Sequence, residues 1–297
     1  MKKILKKIIL SLCVRNFFCF LPDSVYIKML FRIYIGKKLS LKNPKTLNEK
    51  MQWLKLYDRK DIYTIMVDKF EAKKYAADLI GDEYIIPTLG IYDKFEDIDF
   101  NSLPNQFVIK CTHDSGGLVI VKDKKQLDYK KVKKKINKSL KRNYYYYYRE
   151  WPYKNVKPRI IIEELLVPDN NMELNDYKFF IFNNKLAYTF VCSERSKKVK
   201  FTFYDKNKKI LKIKQCGAEY DENVKLPKNY DKMVELAEKL STEAIEIRVD
   251  FYEVNNKIYF GELTFFDSGG FGKFDPELWD EKLGKLLKLP IDTINNK

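Results

Sequence analysis

Cysteine and histidine are scarce in this 297-residue chain, and the scarcity excludes certain kinds of site. The five cysteines are scattered, odd in number and never arranged as CxxC: Cys13, Cys19, Cys111, Cys192 and Cys216. This pattern is typical of a reducing compartment and argues against a disulfide framework or a zinc site. The single histidine, His113, lies in a predicted loop, where a hydrogen bond within the loop and a role beside the substrate both stay open.

The sequence also lacks the short motifs of several large enzyme classes. The patterns GxSxG, HExxH, GxxxxGKS/T and GxGxxG do not occur, so nothing favours an α/β-hydrolase, a zinc protease, a P-loop or a Rossmann dinucleotide site. No internal repeat and no Gly/Ser-rich linker divides the chain. Hydrophobic residues make up 45% and aromatic residues 15% of the chain, which predicts a folded globular protein.

The first 21 residues combine lysines with apolar residues. Their apolar stretch is broken by Arg15 and Asn16 and is followed by no small-residue cleavage site, so we expect neither a membrane span nor a signal peptide. Lysines beside Ile and Leu give a basic amphipathic pattern at Lys2, Lys3, Lys6 and Lys7. Two interpretations stay open: a helix that rests on the anionic inner surface of a membrane, or a helix that packs on the domain behind it.

Positive charge exceeds negative charge along the whole sequence. Lys and Arg number 57 against 41 Asp and Glu, a formal net charge of +16. Because lysine is spread from end to end, much of this charge predicts a solvated surface, and the remainder suits an anionic substrate. No zinc finger, helix-turn-helix or RNP-like segment accompanies the charge, so nucleic acid is not an expected partner.

Capping and turn signals predict alternating helices and strands. A capping box at Thr46-Leu-Asn-Glu49 predicts a helix through about Tyr57, and Asp68 and Gly81 bracket a second helix. Two more helices are predicted at about 128–142 and 230–240, and extended segments or strands at 84–88, 107–111, 118–122, 159–163, 177–182, 185–192, 245–254 and 257–266. Since neighbouring strands form hairpins, we predict an α+β fold with mainly antiparallel sheets.

The last predicted hairpin carries the strongest chemical signal. Arg248 and Asp250 share one face of its first strand, and Glu262 and Thr264 share one face of its second. A three-residue loop, 255–257, would set Asp250 opposite Glu262 at about 5 Å. Two carboxylates that close repel unless a cation lies between them, and oxygen ligands suit Mg²⁺. A two-residue loop would put them on opposite faces, and a simple ion pair of Glu262 with Arg248 is the alternative.

A second group of residues fits a phosphate. Lys110 precedes a predicted turn of small residues, formed by Ser115, Gly116 and Gly117. Such a turn lets backbone N–H groups approach a phosphate, with which a lysine on the preceding strand can pair. Taken alone this signal is weak, because Gly-Gly hairpins are also common in proteins that bind no phosphate.

Two other motifs favour different interpretations. Five consecutive tyrosines, Tyr144–Tyr148, cannot all face one ligand on a helix or a strand, so we expect a mobile, partly packed loop or strand. Asp97-Ile-Asp99 matches the DxD sign of metal-bound diphosphate in one class of glycosyltransferases, but it lies in an acidic patch without glycines.

From about Asp68 to Gly270 these pieces, in this order, resemble the ATP-grasp family of ligases. The resemblance implies nucleotide-binding roles for Lys69, Lys110, Ser115, Gly116, Gly117, Glu163, Glu164, Leu165, Leu166, Asp176 and Lys178. Within that set, the two first lysines and the small-residue turn would hold phosphates, residues 163–166 the adenine, and Asp176 the ribose. The metal ligands would be Asp250, Glu262 and Thr264, and Ser268-Gly269-Gly270 would be the loop near the acceptor.

One departure from the family pattern concerns the metal. Thr264 stands where Asn is usual after the metal-binding Glu. Its single oxygen would ligate less firmly, so one of two metal ions would be weakly held. ATP and Mg²⁺ are nevertheless the implied cofactors.

The finer pattern is similar to the TupA-like subgroup, associated with teichuronopeptide and capsule synthesis. The segments that carry this similarity are NPKTLNEKMQWLKLYDR at 43–59, KCTHDSGG at 110–117 and GELTFF at 261–266. The resemblance implies an ADP-forming carboxylate–amine ligase of surface polysaccharide synthesis, located in the cytoplasm or at the inner face of the membrane. It would join an amine or amino acid to a uronic-acid or similar carboxylate through an acylphosphate, with Arg248, Lys110 and Ser268 as catalytic residues.

Two alternatives of other classes stay open. Members of the subgroup are often described as glycosyltransferases because they occur with polysaccharide enzymes, and a sugar nucleotide would then replace ATP. The second alternative is a non-catalytic basic module that binds membrane or nucleic acid. For the ligase we expect four regions: a helical N-terminal region at 1–60, a linking segment at 61–105, a small lobe at 106–168 and a large lobe at 169–297.

Overall fold

A computed structural model describes residues 2–168 and 173–291 of the chain. Its helices are α1 (Lys2–Val14), α2 (Asp23–Tyr34), α3 (Leu47–Tyr57), α4 (Ile62–Val67), α5 (Glu71–Ile80), α6 (Tyr129–Leu140), α7 (Tyr145–Tyr148), α8 (Tyr230–Leu240) and α9 (Leu278–Gly284). The side chains of residues 1–6 lie outside the description, and with them the predicted basic face of Lys2, Lys3 and Lys6. None of the helices described has the length and apolar run that a membrane span needs.

The strands form two large antiparallel sheets and one small pair. They are β1 (Thr88–Tyr92), β2 (Phe107–Cys111), β3 (Leu118–Val121), β4 (Ile160–Glu164), β5 (Asp176–Phe182), β6 (Lys185–Ser193), β7 (Lys200–Asp205), β8 (Ile210–Leu211), β9 (Lys214–Gln215), β10 (Glu246–Val254), β11 (Lys257–Thr264) and β12 (Phe274–Asp275). The orders are β1-β4-β2-β3, β11-β10-β5-β6-β7-β8 and β12-β9. The predicted α+β class with antiparallel sheets is confirmed.

The four-stranded sheet forms the core of a small lobe. Helix α6 packs on it, burying Val132 and Ile136 against Phe107 and Ile109 of β2. The helix begins where the Asp128 carboxylate accepts the backbone N–H of Lys131 at 2.9 Å. Strand β1 belongs to this sheet although it lies within the predicted linking segment, because it pairs with β4 along its length.

The six-stranded sheet carries the larger core. Aromatic residues of β5, such as Phe179 and Phe180, are fully buried in it. Helix α8 packs on β5, β6 and β10 and contributes Met233 and Leu236 to the same core. The buried residues of helix α8 recur with the helical period from which the helix was predicted.

The N-terminal helices form a layer against the end of this sheet. Helix α3 begins with the predicted capping box: the Thr46 hydroxyl accepts the N–H of Glu49 at 3.2 Å, and the Glu49 carboxylate accepts the N–H of Thr46 at 3.1 Å. The helix contacts α9 and the turn at Asp267–Gly270. Helix α2 buries Phe31 beside Phe271, so the N-terminal region is joined to the C-terminal part of the chain.

The β10–β11 hairpin corrects the predicted loop but keeps the predicted carboxylate register. Its loop is two residues, Asn255 and Asn256, with φ of 52° and 62°, and Val254 pairs with Lys257. A bulge at Gly261 then shifts the register by one residue, so that Asp250 still faces Glu262, and Arg248 faces Thr264. Glycine is required at the bulge because a Cβ there would lie 3.0 Å from the Asp250 carbonyl oxygen.

One local prediction was wrong. The tyrosine run is not a loose loop or strand: Tyr145–Tyr148 forms helix α7, whose rings pack on one another and on neighbouring aromatic residues. Tertiary packing outweighs the local pattern there. The expected extended stretch around 84–88 is present from Ile85, which has an extended backbone and forms a β-bridge with Phe260, whereas Tyr84 ends a short 3-10 turn.

Candidate active site in the cleft between the two sheets

Every site residue predicted from the sequence lines one of two adjoining cavities. A cleft of about 600 Å³ between the sheets is lined by Lys69, Lys110, Ser115, Gly116, Gly117, Asp176, Lys178, Arg248, Asp250, Glu262, Thr264 and Ser268. A pocket of about 780 Å³ holds the others, Glu163, Glu164, Leu165 and Leu166. Lys110 and Tyr252 line both cavities, so the two form one continuous site.

A larger cavity of about 1010 Å³ lies elsewhere, under the N-terminal helices. It is lined by surface lysines and by Arg32, Trp53 and Tyr57, and by none of the predicted site residues. We place the candidate active site in the cleft, because acidic and basic groups from several elements converge there.

The centre of the cleft is a cluster of oxygens around one cationic nitrogen. Nη2 of Arg248 donates to Asp250 Oδ2 at 2.8 Å, to Glu262 Oε1 at 3.1 Å and to the Thr264 hydroxyl at 3.1 Å. Nε of Arg248 donates to the other Asp250 oxygen at 2.7 Å. Strands β10 and β11 therefore bring the predicted ligands together on one face.

The same oxygens fit a divalent cation in their chemistry. Carboxylate and hydroxyl oxygens are hard donors, and here they already surround a positive group. Among the residues described, no cluster of Asp, Glu, His or Cys side chains could hold a metal alone. An ion at Asp250 and Glu262 would thus depend on Thr264 and on oxygens of a bound phosphate for its remaining ligands.

Cations keep Glu262 ionised. Removal from bulk water would raise its pKa, but Lys69, Arg248 and Lys178 outweigh that effect and lower the pKa of Glu262 to about 2. Lys69 reaches across from the other side of the cleft, with Nζ 3.9 Å from a Glu262 oxygen. Its ammonium donates to the Asp114 carbonyl at 2.7 Å, which fixes it beside the small-residue turn.

Lys178 lies between two acids of the large sheet. Its ammonium pairs with Asp250 and lies 3.5 Å from Asp176. Both oxygens of Asp176 also accept from Nη1 of Arg195 at 2.9 Å. Asp176, the predicted ribose-binding acid, is therefore placed in the cleft but is engaged by two cations.

The small-residue turn at Ser115–Gly117 stands on a buried polar base. Asp114 accepts a hydrogen bond from the Ser139 hydroxyl of helix α6. His113 is buried, and its Nε2 lies 3.2 Å from the Ser139 carbonyl. Burial lowers the pKa of His113, so the ring is neutral at physiological pH and serves the loop instead of facing the cleft.

Glu163 organises the lysines at the mouth of the second pocket. Its two oxygens pair with Lys110 and Lys73, each at 2.5 Å. Lys73 also donates to the Ile86 carbonyl at 2.6 Å and to the Thr88 hydroxyl at 2.8 Å. Burial alone would raise the pKa of Glu163, but the two lysines lower it.

The second pocket is mainly apolar. Ile86, Val108, Leu118, Ile120 and Tyr252 line it, together with the segment 164–168 that follows β4. Apolar walls with a few polar backbone groups at one edge suit a flat heterocycle such as adenine.

The other end of the cleft is closed by the turn Asp267–Gly270. Asp267 accepts from Arg248 Nη1 at 2.5 Å, from Gln215 at 3.0 Å and from Ser268 at 3.1 Å. Helix α3 holds the turn from behind: Gln52 and Lys55 both donate to the Gly269 carbonyl, at 3.2 and 2.5 Å.

Sequence reasoning missed several residues of this site. Lys73 could have been found, since it lies four residues after Lys69 within the helix that the sequence predicts between Asp68 and Gly81; in the structure Lys69 precedes helix α5 and Lys73 lies in its first turn. Asp267 directly precedes the predicted acceptor loop. Arg195 and Glu150 belong to no motif, and only the fold brings them to the cleft.

The Asp97-Ile-Asp99 motif lies outside both cavities. Asp97 ends a short 3-10 turn, and the Asp99 carboxylate accepts the N–H of Asn101 at 3.0 Å. Neither side chain lines the cleft or the apolar pocket. The structure therefore gives no diphosphate site at this motif.

A family model described as TupA-like ATPgrasp matches residues 49–288. Among solved structures, D-alanine–D-alanine ligase from Helicobacter pylori is similar at 16% identity over 83% of this chain and 70% of that one, with a TM-score of 0.44. The ATP complex of D-alanine–D-alanine ligase from Bacillus anthracis is similar at 15% identity and a TM-score of 0.40 over 68% of this chain. This chain spans about half of the latter ligase, 54% of its length. No curated protein matched the sequence.

Proposed function

Because the chain belongs to the TupA-like ATP-grasp family and has that family's fold, we propose that it is an ADP-forming carboxylate–amine ligase. The observation that carries the proposal is the single site made by the cleft and the apolar pocket. Lysines of one lobe, carboxylates of the other and a small-residue turn face the same space of about 600 Å³. Such a site positions a nucleotide triphosphate and neutralises its charge.

Each part of the site has a role in this reaction. Residues 163–166 and the apolar pocket bind adenine, and Asp176 lies at the ribose position. Lys69, Lys110 and the turn at Ser115–Gly117 hold the phosphates. The donor set of Asp250, Glu262 and Thr264 fits Mg²⁺, which when bound would neutralise charge on the phosphates.

The chemistry proceeds in two transfers. The γ-phosphoryl group moves to an oxygen of the substrate carboxylate. The bond between the γ-phosphorus and the bridging oxygen of ADP breaks, and ADP is the leaving group. The amine nitrogen then forms a bond to the acyl carbon and the bond from that carbon to the phosphate oxygen breaks. The nitrogen gives up one proton, which the departing phosphate can accept, and inorganic phosphate leaves. Arg248 and Lys110 stabilise the developing charge, and Ser268 faces the acceptor.

For the substrates we propose a uronic-acid or similar carboxylate of a surface polysaccharide and an amine or amino acid. Support comes from the family's similarity to teichuronopeptide and capsule proteins and from the net charge of +16, which suits an anionic glycan. The glycosyltransferase alternative loses support because its DxD motif lies away from the cleft.

We further propose that the enzyme works in the cytoplasm, with its N-terminal region against the inner membrane surface. Ile8, Phe17 and Phe20 are exposed, Phe20 by 72%, and Lys7 and Arg15 are exposed beside them. Apolar side chains flanked by cations suit an anionic bilayer.

In a flotation assay the protein should rise with phosphatidylglycerol vesicles. The double variant Phe17→Ser with Phe20→Ser should reduce the floated fraction severalfold. Equal flotation with neutral phosphatidylcholine vesicles, or no loss in the double variant, would contradict the membrane contact.

The proposed function is tested first by ligand-induced thermal stabilisation of the whole protein. Mg-ATP should raise the melting temperature by several degrees, since a ligand at a hundredfold its dissociation constant adds about 2.7 kcal/mol. ATP with a chelator should stabilise less, and UDP-sugars should have no effect. Asp250→Asn should remove the Mg-ATP effect.

Asp231→Asn is the matched control, because Asp231 lies on the surface and pairs only with Lys208. It should respond to Mg-ATP as the wild type does. Stabilisation by a UDP-sugar and none by Mg-ATP would favour the glycosyltransferase. Salt-sensitive binding to polyanions with no ATP response would favour the non-catalytic module.

A further inference from the structure

Glu150 is a buried carboxylate that lines the cleft. It is 3% exposed and lies two residues after the tyrosine run. Among the residues described, no group donates a hydrogen bond to its side chain and no cation lies within ion-pair distance. Every other acid that lines the cleft has such a partner: Asp114, Asp176, Asp250, Glu262 and Asp267. Its oxygens are not among the fully enclosed atoms that lack a partner, so they open onto the cleft, where a ligand can reach them.

The backbone turns so that Glu150 faces the cleft while its neighbour faces away. Arg149 has a left-handed conformation with φ of 57°. Its guanidinium lies 4.4 Å from the Tyr26 ring centroid and donates to the Phe18 carbonyl at 2.9 Å. Arg149 therefore packs against the N-terminal region. The residues on either side of it, Tyr148 and Glu150, line the cleft.

Aromatic rings form a wall around this carboxylate. Tyr144, Tyr148 and Tyr153 all line the same cleft. The ring of Phe271 stacks on Tyr34 at 5.3 Å and lies 5.4 Å from Tyr148. The turn at Gly269 closes the wall, since a Cβ there would lie 2.6 Å from the Tyr148 ring.

The charged groups nearest to Glu150 are already engaged. Lys55 lies behind the wall, where its ammonium donates to the Tyr148 carbonyl at 3.0 Å and to the Gly269 carbonyl at 2.5 Å. Arg248 is shared among the carboxylates of the cleft, including Asp267. The other titratable groups close enough to act on Glu150 are Asp267, Glu246, Tyr144 and Tyr153. Burial raises the pKa of Glu150 to about 7, against the opposing effect of Lys55.

We infer that Glu150, with the wall of Tyr144, Tyr148 and Tyr153, is the subsite for the amine substrate, which it binds as an ammonium ion. This inference rests on the proposed ligase function. A buried carboxylate supplies the charge that an ammonium lacks, and aromatic faces attract cations. The subsite borders the turn at Ser268. Transfer of one ammonium proton to the Glu150 carboxylate would leave a neutral amine whose nitrogen can attack an acylphosphate.

The same geometry narrows the class of amine. The residues described at this end of the cleft include the acids Glu150 and Asp267 but no cation free to pair with a second carboxylate. An amine that carries its own carboxylate would be repelled there. The subsite therefore takes a primary amine without an adjacent carboxylate, such as an amino sugar, in preference to an α-amino acid.

The test is a titration of the full chain, saturated with Mg²⁺ and a non-hydrolysable ATP analogue, at neutral pH. Calorimetry or ligand-observed NMR would measure binding of glucosamine, N-acetylglucosamine and glycine. We expect glucosamine to bind and the two others to bind at least tenfold more weakly, because one is uncharged and the other carries a carboxylate. Glu150→Gln should weaken glucosamine binding at least tenfold.

Glu246→Gln is the matched control. Glu246 is also a buried carboxylate, faces the same Lys55 from behind the turn and does not line the cleft. Its variant should bind glucosamine within twofold of the wild type. Equal binding of glucosamine by Glu150→Gln and wild type, preference for the N-acetyl sugar or glycine, or no amine binding by the wild type would each overturn the inference.

The nucleotide step separates this inference from the proposed function. Glu150→Gln should keep the stabilisation by the Mg-ATP analogue, because Glu150 pairs with none of the residues assigned to the nucleotide. Loss of that stabilisation in Glu150→Gln alone would mean that the residue serves the nucleotide instead. Absence of stabilisation in the wild type would refute the ligase itself.

Discussion

The two ends of the cleft hold most of their acidic residues in different ways. At the nucleotide end Glu163 pairs with two lysines, and Glu262 and Asp250 share Arg248. At the acceptor end Asp267 also pairs with Arg248, but among the residues described no ion pair forms with Glu150 or with Glu246 behind it. The cations lower the pKa of Glu262 to about 2, whereas burial raises that of Glu150 to about 7.

This difference separates a preorganised region from an incomplete one. Charges that are already paired and oriented can stabilise a phosphate without rearranging, which is how such sites lower a barrier. A buried acid without a partner is instead completed by a ligand. On the proposed function, the nucleotide end would be ready for phosphates before they bind, whereas the acceptor end would gain its missing charge from the amine.

The largest effect on stability should come from removing Arg248, the cation at the centre of the nucleotide end. Arg248→Met leaves Asp250, Glu262 and Asp267 close together, and breaking a buried ion pair in this way costs about 3–5 kcal/mol. Urea denaturation should show this loss, and excess Mg²⁺ should restore part of it by replacing the lost charge. Arg195→Met, which removes a half-exposed partner of Asp176 only, should cost about 1 kcal/mol or less. Equal losses in the two variants would contradict the central role of Arg248.

The next largest effect on stability should come from removing Lys55, which supports the turn at the acceptor end. Lys55→Met removes the donor that holds the carbonyls of Tyr148 and Gly269, so the Tyr148 carbonyl is left unsatisfied and the Gly269 carbonyl keeps only Gln52, at a cost of about 1–3 kcal/mol. Proteolysis should then cleave the turn at Asp267–Gly270 faster than in the wild type. Lys60→Met, on the surface just beyond helix α3, should change neither stability nor cleavage. Unchanged cleavage in Lys55→Met would show that the turn does not depend on helix α3.

Local signals were sufficient to predict much of the fold. The capping box at Thr46, the apolar period of α8 and the alternation in β10 and β11 each depend on neighbours in sequence. The hairpin loop could not be predicted, because the bulge at Gly261 is decided by contacts between the two strands. Its effect was to preserve the register on which the metal prediction depended.

The candidate site divides in the same way. Asp250, Glu262 and Lys110 could be predicted because they lie on strands next to recognisable turns. Glu150 could not, since the tyrosine run predicted a loose segment and its burial depends on Arg149 packing against the N-terminal helices. Residues placed by long-range packing carry no pattern in the sequence.

A smaller effect, on the affinity for Mg-ATP, should follow when two lysines of the nucleotide end lose their shared carboxylate. Glu163→Gln weakens the ion pairs with Lys73 and Lys110, so both lysines lose the partner that orients them toward a phosphate. We expect about a tenfold weaker binding of Mg-ATP, or about 1.4 kcal/mol, measured by calorimetry. Glu235→Gln, which removes an exposed glutamate that also pairs with two lysines and lies away from both cavities, should bind as the wild type does. Tighter binding in Glu163→Gln would mean that Glu163 restrains the lysines instead of orienting them.

The smallest expected effect is a pH dependence of stability that comes from Glu246, behind the acceptor end. Burial raises the pKa of Glu246 from 4.5 to about 8, while the unfolded chain keeps the ordinary value. Between these values the folded state holds a proton that the unfolded state has lost, so this stabilisation is complete below the lower pKa and is lost as the pH rises to the upper one. Glu246→Gln cannot ionise and escapes the loss. Its stability relative to wild type should therefore rise from about pH 5 to about pH 9, by roughly 1 kcal/mol or more in urea denaturation. A relative stability that stays flat or falls over this range would mean that Glu246 is ionised in the fold and has found a cation there, and the contrast between the two ends would then rest on Glu150 alone.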